Sequence, residues 1–531
     1  MQYSSDFRMA DYEFVRERLL QRKEIALLDI REEALHAQAH PLFAANFPLS
    51  RLEVDAFAKL PNQAACVVTI DNGEGLAEVA AKRLIELGYL WVSIFRGGIS
   101  AWAAAGGELF KDVNVPSKSF GEFVEAHCHT PSLSAEEVKA LLDADEDIVV
   151  VDVRRYDEFQ TMSIPKGISV PGAELVLRVP ELASRPSTRV IVNCAGRTRS
   201  IIGTQSLINA GIPNPVSALR NGTIGWTLAG QQLNSGSSAR FPEVSDETCR
   251  IALNRSRAVA DRAGVPRVSL EDVAHWCSDK TRTTYLFDPR PLEEYYSGHL
   301  PGFRPAPGGQ LVQETEMFAP VRGARIVLAD TRGVRANMTA SWLAQMGWEV
   351  AVIDGLSDDH LTERGKWSAP SPEVPQVEWI NTVDLDGQLR SSDPPVVIDL
   401  RPYAQYISGH IPGAWFAIRS GFFDAARKIP RSHQVVLTAT EDAIACFIAR
   451  EIAALQPSEV KVLRGGFAAW EAAGYSIESG PKYLASPPID RYRRPYEGTS
   501  VAPAAMQAYL DWEFGLVAQL ERDGTHHFRV I

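Results

Sequence analysis

Short β-branched apolar runs alternate with longer amphipathic segments along most of the chain, which predicts strand and helix in turn. Val190-Ile191-Val192 is one such run, and between residues 76 and 87 apolar side chains recur at 76, 79, 80, 84 and 87, the spacing of one helix face. Strands that alternate with helices predict a parallel sheet covered on both faces, with ligands at the carboxyl ends of the strands. Ser134 followed by Glu136 and Glu137, and Ser269 followed by Glu271 and Asp272, predict serine-capped helix starts. Gly88, Gly211 and Gly347 predict helix ends.

The same unit occurs four times. Each copy has an apolar strand ending in Asp-x-Arg: Asp29 and Arg31, Asp152 and Arg154, Asp288 and Arg290, Asp399 and Arg401. Ten residues after each Asp stands a turn: Ala39-His40-Pro41, Met162-Ser163-Ile-Pro165, Gly298-His299-Leu-Pro301 and Gly409-His410-Ile-Pro412. A second apolar strand and a helix follow, and three copies close on a Gly-to-Trp element ending at Trp102, Trp226 and Trp470. The third keeps only Asp354-Gly355-Leu356. A period of about 110 to 135 residues is domain-sized, so the copies are tandem globular domains rather than solenoid repeats. The boundaries read as 1–118, 119–238, 239–372 with a leading linker helix, 373–484, and a C-terminal extension over 485–531 with a helix at about 503 to 521. The polar stretch Asn234-Ser-Gly-Ser-Ser separates the two halves.

Length agrees, since 531 residues with 45% hydrophobic content bury several ordinary cores. A net charge of −12 without a Lys/Arg run argues against a nucleic-acid partner, because phosphate binding needs a basic face. No apolar stretch approaches membrane-spanning length, and the start of the chain lacks a signal pattern, so a soluble cytoplasmic protein is expected. The cysteines at 66, 128, 194, 249, 277 and 446 are scattered without a C-x-x-C pair, which fits a reducing compartment. Cys66 and Cys446 fall in apolar segments and read as core. His127-Cys128-His129 reads as a solvated linker, since three adjacent side chains on an extended chain do not converge on one ion.

Cys194 is different. It ends the run Val190-Ile191-Val192 and opens Cys194-Ala195-Gly196-Arg197-Thr198-Arg199-Ser200, which leads into a helix. A thiol at a strand tip, before a turn and a helix N-terminus, faces converging N–H groups and the positive end of the helix dipole. Arg197 and Arg199 add fixed positive charge, so a lowered thiol pKa and a well-populated thiolate are expected. Two arginines beside a core thiol would lack partners, so the loop is expected to reach solvent or a ligand.

In combination the Asp-x-Arg strand, the Gly-His-Ile-Pro-Gly turn, the strand-end Cys194 with its C-x4-R-S loop and the Arg-Gly-Gly to Trp element resemble the rhodanese family of sulfurtransferases, over nearly the whole chain. The second unit departs at Met162-Ser163, where Gly-His is expected. The resemblance implies an α/β fold of four tandem rhodanese-like domains, each a parallel sheet flanked by helices, plus the C-terminal helical extension. It places the catalytic cysteine on Cys194, the backbone cradle on Ala195, Gly196, Arg197, Thr198, Arg199 and Ser200, and the substrate-binding arginine on Arg199. It implies a small anionic sulfur donor such as thiosulfate, a Cys194 persulfide, and a thiol or cyanide acceptor, with no metal or organic cofactor. Both Arg197 and Arg199 suit a sulfonate. Donors other than thiosulfate, including glutathione persulfide, mercaptopyruvate or a protein persulfide, offer similar sulfur, although mercaptopyruvate-type relatives carry a Gly-Ser-Gly-Val-Thr loop unlike this one. A homo-oligomer and a protein acceptor are compatible with the sequence.

Asp71, Asp330 and Ala439 occupy the Cys194 position in the other units, and none carries a persulfide; only the third keeps an arginine at the place of Arg199, namely Arg335. Those units read as scaffold, docking or lid domains, and His40, His299 and His410 as structural turn residues. Two alternatives stand beside the enzyme: a non-catalytic binding or redox-sensing protein, and a Cys-dependent phosphatase. The related phosphatases have Arg at +6, where this chain has Ser200.

Overall fold

The computed structural model describes residues 7–455 and 459–531. Among them the strands gather into four five-stranded parallel sheets of identical order, in which the first strand of a unit lies at one edge, followed by its fifth, fourth, second and third. In the second unit this sequence is Ser132–Leu133, Val216–Leu219, Arg189–Asn193, Ile148–Asp152 and Ile168–Ser169. The central strand is buried on both sides, which is why it reads as an unbroken apolar run and not as an alternating one. The chain reverses its direction of growth between the second and fourth strands, so their carboxyl ends, Asp152 and Asn193, open a crevice at the switch point.

The constant ten-residue spacing has a physical cause. In every unit the Arg of Asp-x-Arg is clamped on its own Asp, and its Nη2 also donates to a backbone carbonyl of the turn: Ala39, Met162, Gly298 and Gly409. A carbonyl is supplied by any residue, so Met162 serves as well as glycine. The turn histidines are structural: His299 and His410 Nδ1 bond the carbonyls of Tyr295 and Tyr406, and His40 bonds those of Pro41 and Asp112. The expected serine caps form as capping boxes at Ser134 with Glu137 and Ser269 with Asp272.

The first and third units share one continuous hydrophobic core with the helix Val115–Cys128 and the last residues of the chain. The fourth has cores of its own and meets the first largely through charge, with Arg419 forked onto Glu53 at 2.6 and 2.7 Å. Two expectations are corrected here. His127 and Cys128 end the helix Val115–Cys128 and are not an extended linker, and a domain boundary at 118/119 would cut that helix. The helix expected at 503 to 521 is two, Pro503–Phe514 and Leu516–Asp523, broken at Gly515. The polar stretch at Asn234, between the second and third units, is tied by its backbone to Ser163 of the second.

Candidate active site

The strand Arg189–Asn193 delivers Cys194 into a three-residue turn before the helix Thr198–Asn209. The Gly-to-Trp element braces this turn from behind. Thr223 N–H donates to Cys194 O at 2.9 Å and Ile224 N–H to Ala195 O at 3.0 Å. Gly222, at φ +53°, passes so near that a Cβ there would lie 2.3 Å from Cys194 O. Among the described residues the N–H groups of Ala195, Gly196 and Arg197 donate no hydrogen bond, so the turn keeps unfilled donors beside the thiol.

Cys194 is 1% exposed. Its thiol donates to Ser200 Oγ at 3.3 Å, and that hydroxyl donates to Arg197 O at 2.9 Å. Burial pushes the thiol up, while the Arg199 charge and Ser200 pull it back only in part. The expected lowering is therefore not realised, because desolvation of the buried thiol outweighs the Arg199 guanidinium.

The two arginines part company. Arg199 is forked onto Glu158 at 2.8 and 2.9 Å, and its charge holds that carboxyl down at about 2. It still lines the cavity beside Cys194. Arg197 turns its polar atoms away to Glu122 at 2.7 and 2.9 Å, to Glu125, and to Asn221 at 3.1 Å, with its plane 4.2 Å from the Phe514 ring. Its guanidinium is thus engaged by protein partners and anchors the loop to the preceding helix, while its backbone N–H stays with the turn that lines the Cys194 cavity.

Of the two expected surroundings of the loop, solvent or a ligand, open solvent is excluded at Cys194 because the C-terminal extension covers it, and the loop faces a cavity instead. Tyr496, Tyr509 and Glu513 close over Cys194 together with Lys118 and Gln313, leaving a cavity of about 20 Å³. Lys118 pairs with Asp112 at 2.5 Å and lies 5.2 to 5.6 Å from the rings of Tyr509, Tyr496 and Trp512. These five residues lie outside the motif carrying Cys194, so repeat comparison does not find them. The only available signal was a C-terminal helix outside the repeats. Arg199, Gln313 and Tyr496 also border a second, larger cleft of about 530 Å³, reached by Arg155, Glu314 and Arg494.

At the equivalent strand ends no thiol stands. Asp71 accepts from the N–H groups of Gly73 and Ala77 at 2.9 and 3.1 Å. Asp330 accepts from those of Arg332, Gly333 and Ala336 at 2.7, 2.8 and 2.9 Å. Ala439 is buried and apolar. Among the described residues no group of three His, Cys, Asp or Glu is arranged to hold a metal, and no helix is long and apolar enough to cross a membrane.

The sheet order, the repeated clamp and the strand-end loop define a class, and comparison agrees with it. The profile of the Rhodanese-like domain matches residues 14–105, 134–229 and 383–473, and the chain belongs to this family. Over its whole length it is similar to the crystal structure of thiosulfate sulfurtransferase from Pseudomonas aeruginosa, at 59% identity and a TM-score of 0.98, covering 99% of this chain and 100% of that one. The Rhodanese-like domain of an Anabaena protein aligns at 24% identity and a TM-score of 0.19, covering 20% of this chain and 80% of that one. A rhodanese-related protein from Thermoplasma volcanium aligns at 18% and 0.18, covering 19% and 97%. No curated protein matched.

Proposed function

We propose that the protein is a thiosulfate sulfurtransferase in which Cys194 carries the transferred sulfur. One observation carries the reading. Of four equivalent strand ends, only the one at Cys194 joins a nucleophile to a loop whose N–H donors are unfilled. The Cys194 thiol gives up its proton to solvent, the thiolate attacks the outer sulfur of thiosulfate, the S–S bond to the sulfonate breaks, and sulfite departs with the electron pair. Arg199 faces the developing negative charge, and the N–H groups of Ala195, Gly196 and Arg197 receive the anionic outer sulfur. A cavity of about 20 Å³ suits one such atom and not a whole thiosulfate, so the donor approaches from the larger cleft, past Arg199, Gln313 and Tyr496. A thiol or cyanide then takes the sulfur. The six unpaired cysteines support a reducing, cytoplasmic setting.

Intact mass after incubation with excess thiosulfate, followed by tryptic mapping, is expected to place one added sulfur of about 32 Da on the Cys194 peptide. Finding it on Cys66 or Cys446 overturns the assignment.

A further inference from the structure

Glu513 lies on the helix Pro503–Phe514, outside every repeat unit, and is 0% exposed. Its Oε1 accepts the Tyr509 hydroxyl at 2.8 Å, whereas Oε2 is buried without a hydrogen-bond partner. Oε2 is close to the nucleophile loop: a Cβ on Gly196 would lie 3.5 Å from it, and 3.3 Å from the Tyr509 ring. Glu513 and Cys194 line the same small cavity. A buried carboxyl oxygen left unpaired at a reactive thiol calls for an explanation in the chemistry.

The groups facing Glu513 come from three directions. Lys118, paired with Asp112, and Glu122 face it from the helix Val115–Cys128. Arg197 and Cys194 do so from the loop, with Arg199 on the same cavity wall. Tyr509 is on its own helix, and Tyr496 comes from the segment before it. Burial and the neighbouring Glu122 push the carboxyl up to about 8 against the pull of Lys118, Tyr509 and Arg197, so the group is largely protonated at neutral pH.

Resting on the reading that Cys194 carries the sulfur, we propose that Glu513 is the proton donor of the second half-reaction, its carboxylic acid bonding and protonating the outer sulfur of the Cys194 persulfide. The first half needs no proton donor, because sulfite leaves with the electron pair of the broken bond as a stable anion. The second does. The outer sulfur is anionic and so is an attacking thiolate or cyanide. Transfer of the Glu513 proton neutralises that sulfur. The acceptor then bonds to it, the S–S bond breaks, and the electron pair returns to Cys194 as thiolate. The proton leaves on the product, a stronger acid than a thiol, and returns to the Glu513 carboxylate when the product ionises.

The two halves are measured separately on the full chain: the rate of sulfur loading from thiosulfate by rapid-quench intact mass, and the rate of discharge of the loaded protein to cyanide across pH. In Glu513→Gln, loading is expected within about threefold of the parent and discharge slower by about a hundredfold, with the parent's fall in discharge above about pH 8 abolished. Discharge near the parent rate with that fall intact overturns the proposal. Equal slowing of both halves also overturns it, since that is the signature of lost packing. Tyr509→Phe removes only the hydroxyl that favours the carboxylate form, so the alkaline fall should move to higher pH, and an unmoved fall overturns the proposal even if Glu513→Gln fails to fold. Failure of the parent to load at Cys194 would overturn the carrier reading instead.

Discussion

In the second unit the loop after the fourth strand runs from Cys194 to Ser200, and in the third it runs from Asp330 to Ala336, over the same strand end and into the same helix. Each has an arginine five residues on, Arg199 and Arg335, and each arginine is forked onto the glutamate six residues after the Asp of Asp-x-Arg, Glu158 and Glu294. What differs is the occupant. Asp330 places its own carboxylate among the loop N–H groups and accepts three of them, so the third loop holds a permanent internal anion. Cys194 leaves the donors of Ala195, Gly196 and Arg197 unfilled, so the second loop has room for an anion from outside. On the proposed reading the anion cradle is a property of the scaffold, and the two loops differ in whether a side chain has already filled it.

The largest effect expected from this comparison comes from moving the thiol. Cys194→Ser should reduce thiosulfate-to-cyanide transfer to the uncatalysed rate, roughly 10³-fold or more below the parent. In that background Asp330→Cys both removes the internal anion and supplies a nucleophile beside Arg335, and should restore sulfur loading to roughly a hundredth of the parent rate. The same change at Asp71 or Ala439 should restore less, because Leu76 and Ile444 stand where the arginine is needed. Arg335 is also held by Glu174, which keeps the rescue partial. Loading at 439 without loading at 330 would show that loop charge does not make a site competent.

Much of this frame was legible in the sequence. Asp-x-Arg and the turn ten residues on are local, and the clamp that links them spans only eight residues from arginine to carbonyl, so periodicity exposed it in all four units. The strand-end position of Cys194 followed from its apolar run. The cover over the site was not legible. Tyr509 and Glu513 reach Cys194 from more than three hundred residues away, through packing that no local pattern records. Arg197 shows the same limit from the other side. At +3 beside a thiol it looks like a substrate ligand, yet Glu122, seventy-five residues earlier, claims it. The raised thiol pKa has the same origin: burial under the extension outweighs the opposing pull of Arg199 and Ser200, and the sequence around Cys194 records no such cover.

A middle-sized effect tests whether Arg199 serves the donor as well as Glu158. Arg199→Ala should lower kcat/KM for thiosulfate by about tenfold, or about 1.4 kcal/mol, through loss of a charge-assisted contact to the sulfonate. A neutral persulfide donor should lose less. Because truncation also strands Glu158, the double variant Arg199→Ala/Glu158→Gln should show the same split between charged and neutral donors. Equal losses for both donors would mean that Arg199 only holds the loop in shape.

The smallest effect separates the two Arg–Glu pairs by what each contributes to stability. Glu158 is held at about 2, below its ordinary 4.5, so the stability its ionised form contributes is fully present above about pH 4.5 and is lost as pH falls toward 2. Glu158→Gln forgoes that contribution at all pH. The parent should therefore melt above the variant by roughly 2–4 °C at pH 7, and the gap should close between about pH 4.5 and pH 2. In the third unit Glu294→Gln leaves Arg335 still forked onto the buried Glu174, so its gap at pH 7 should be smaller. Tm measured across this range decides the matter: a Glu158→Gln gap that stays constant down to pH 2 would show that the side chain stabilises by packing and not by charge. A Glu294→Gln gap at pH 7 as large as that of Glu158→Gln would show that Glu174 does not compensate for the lost partner.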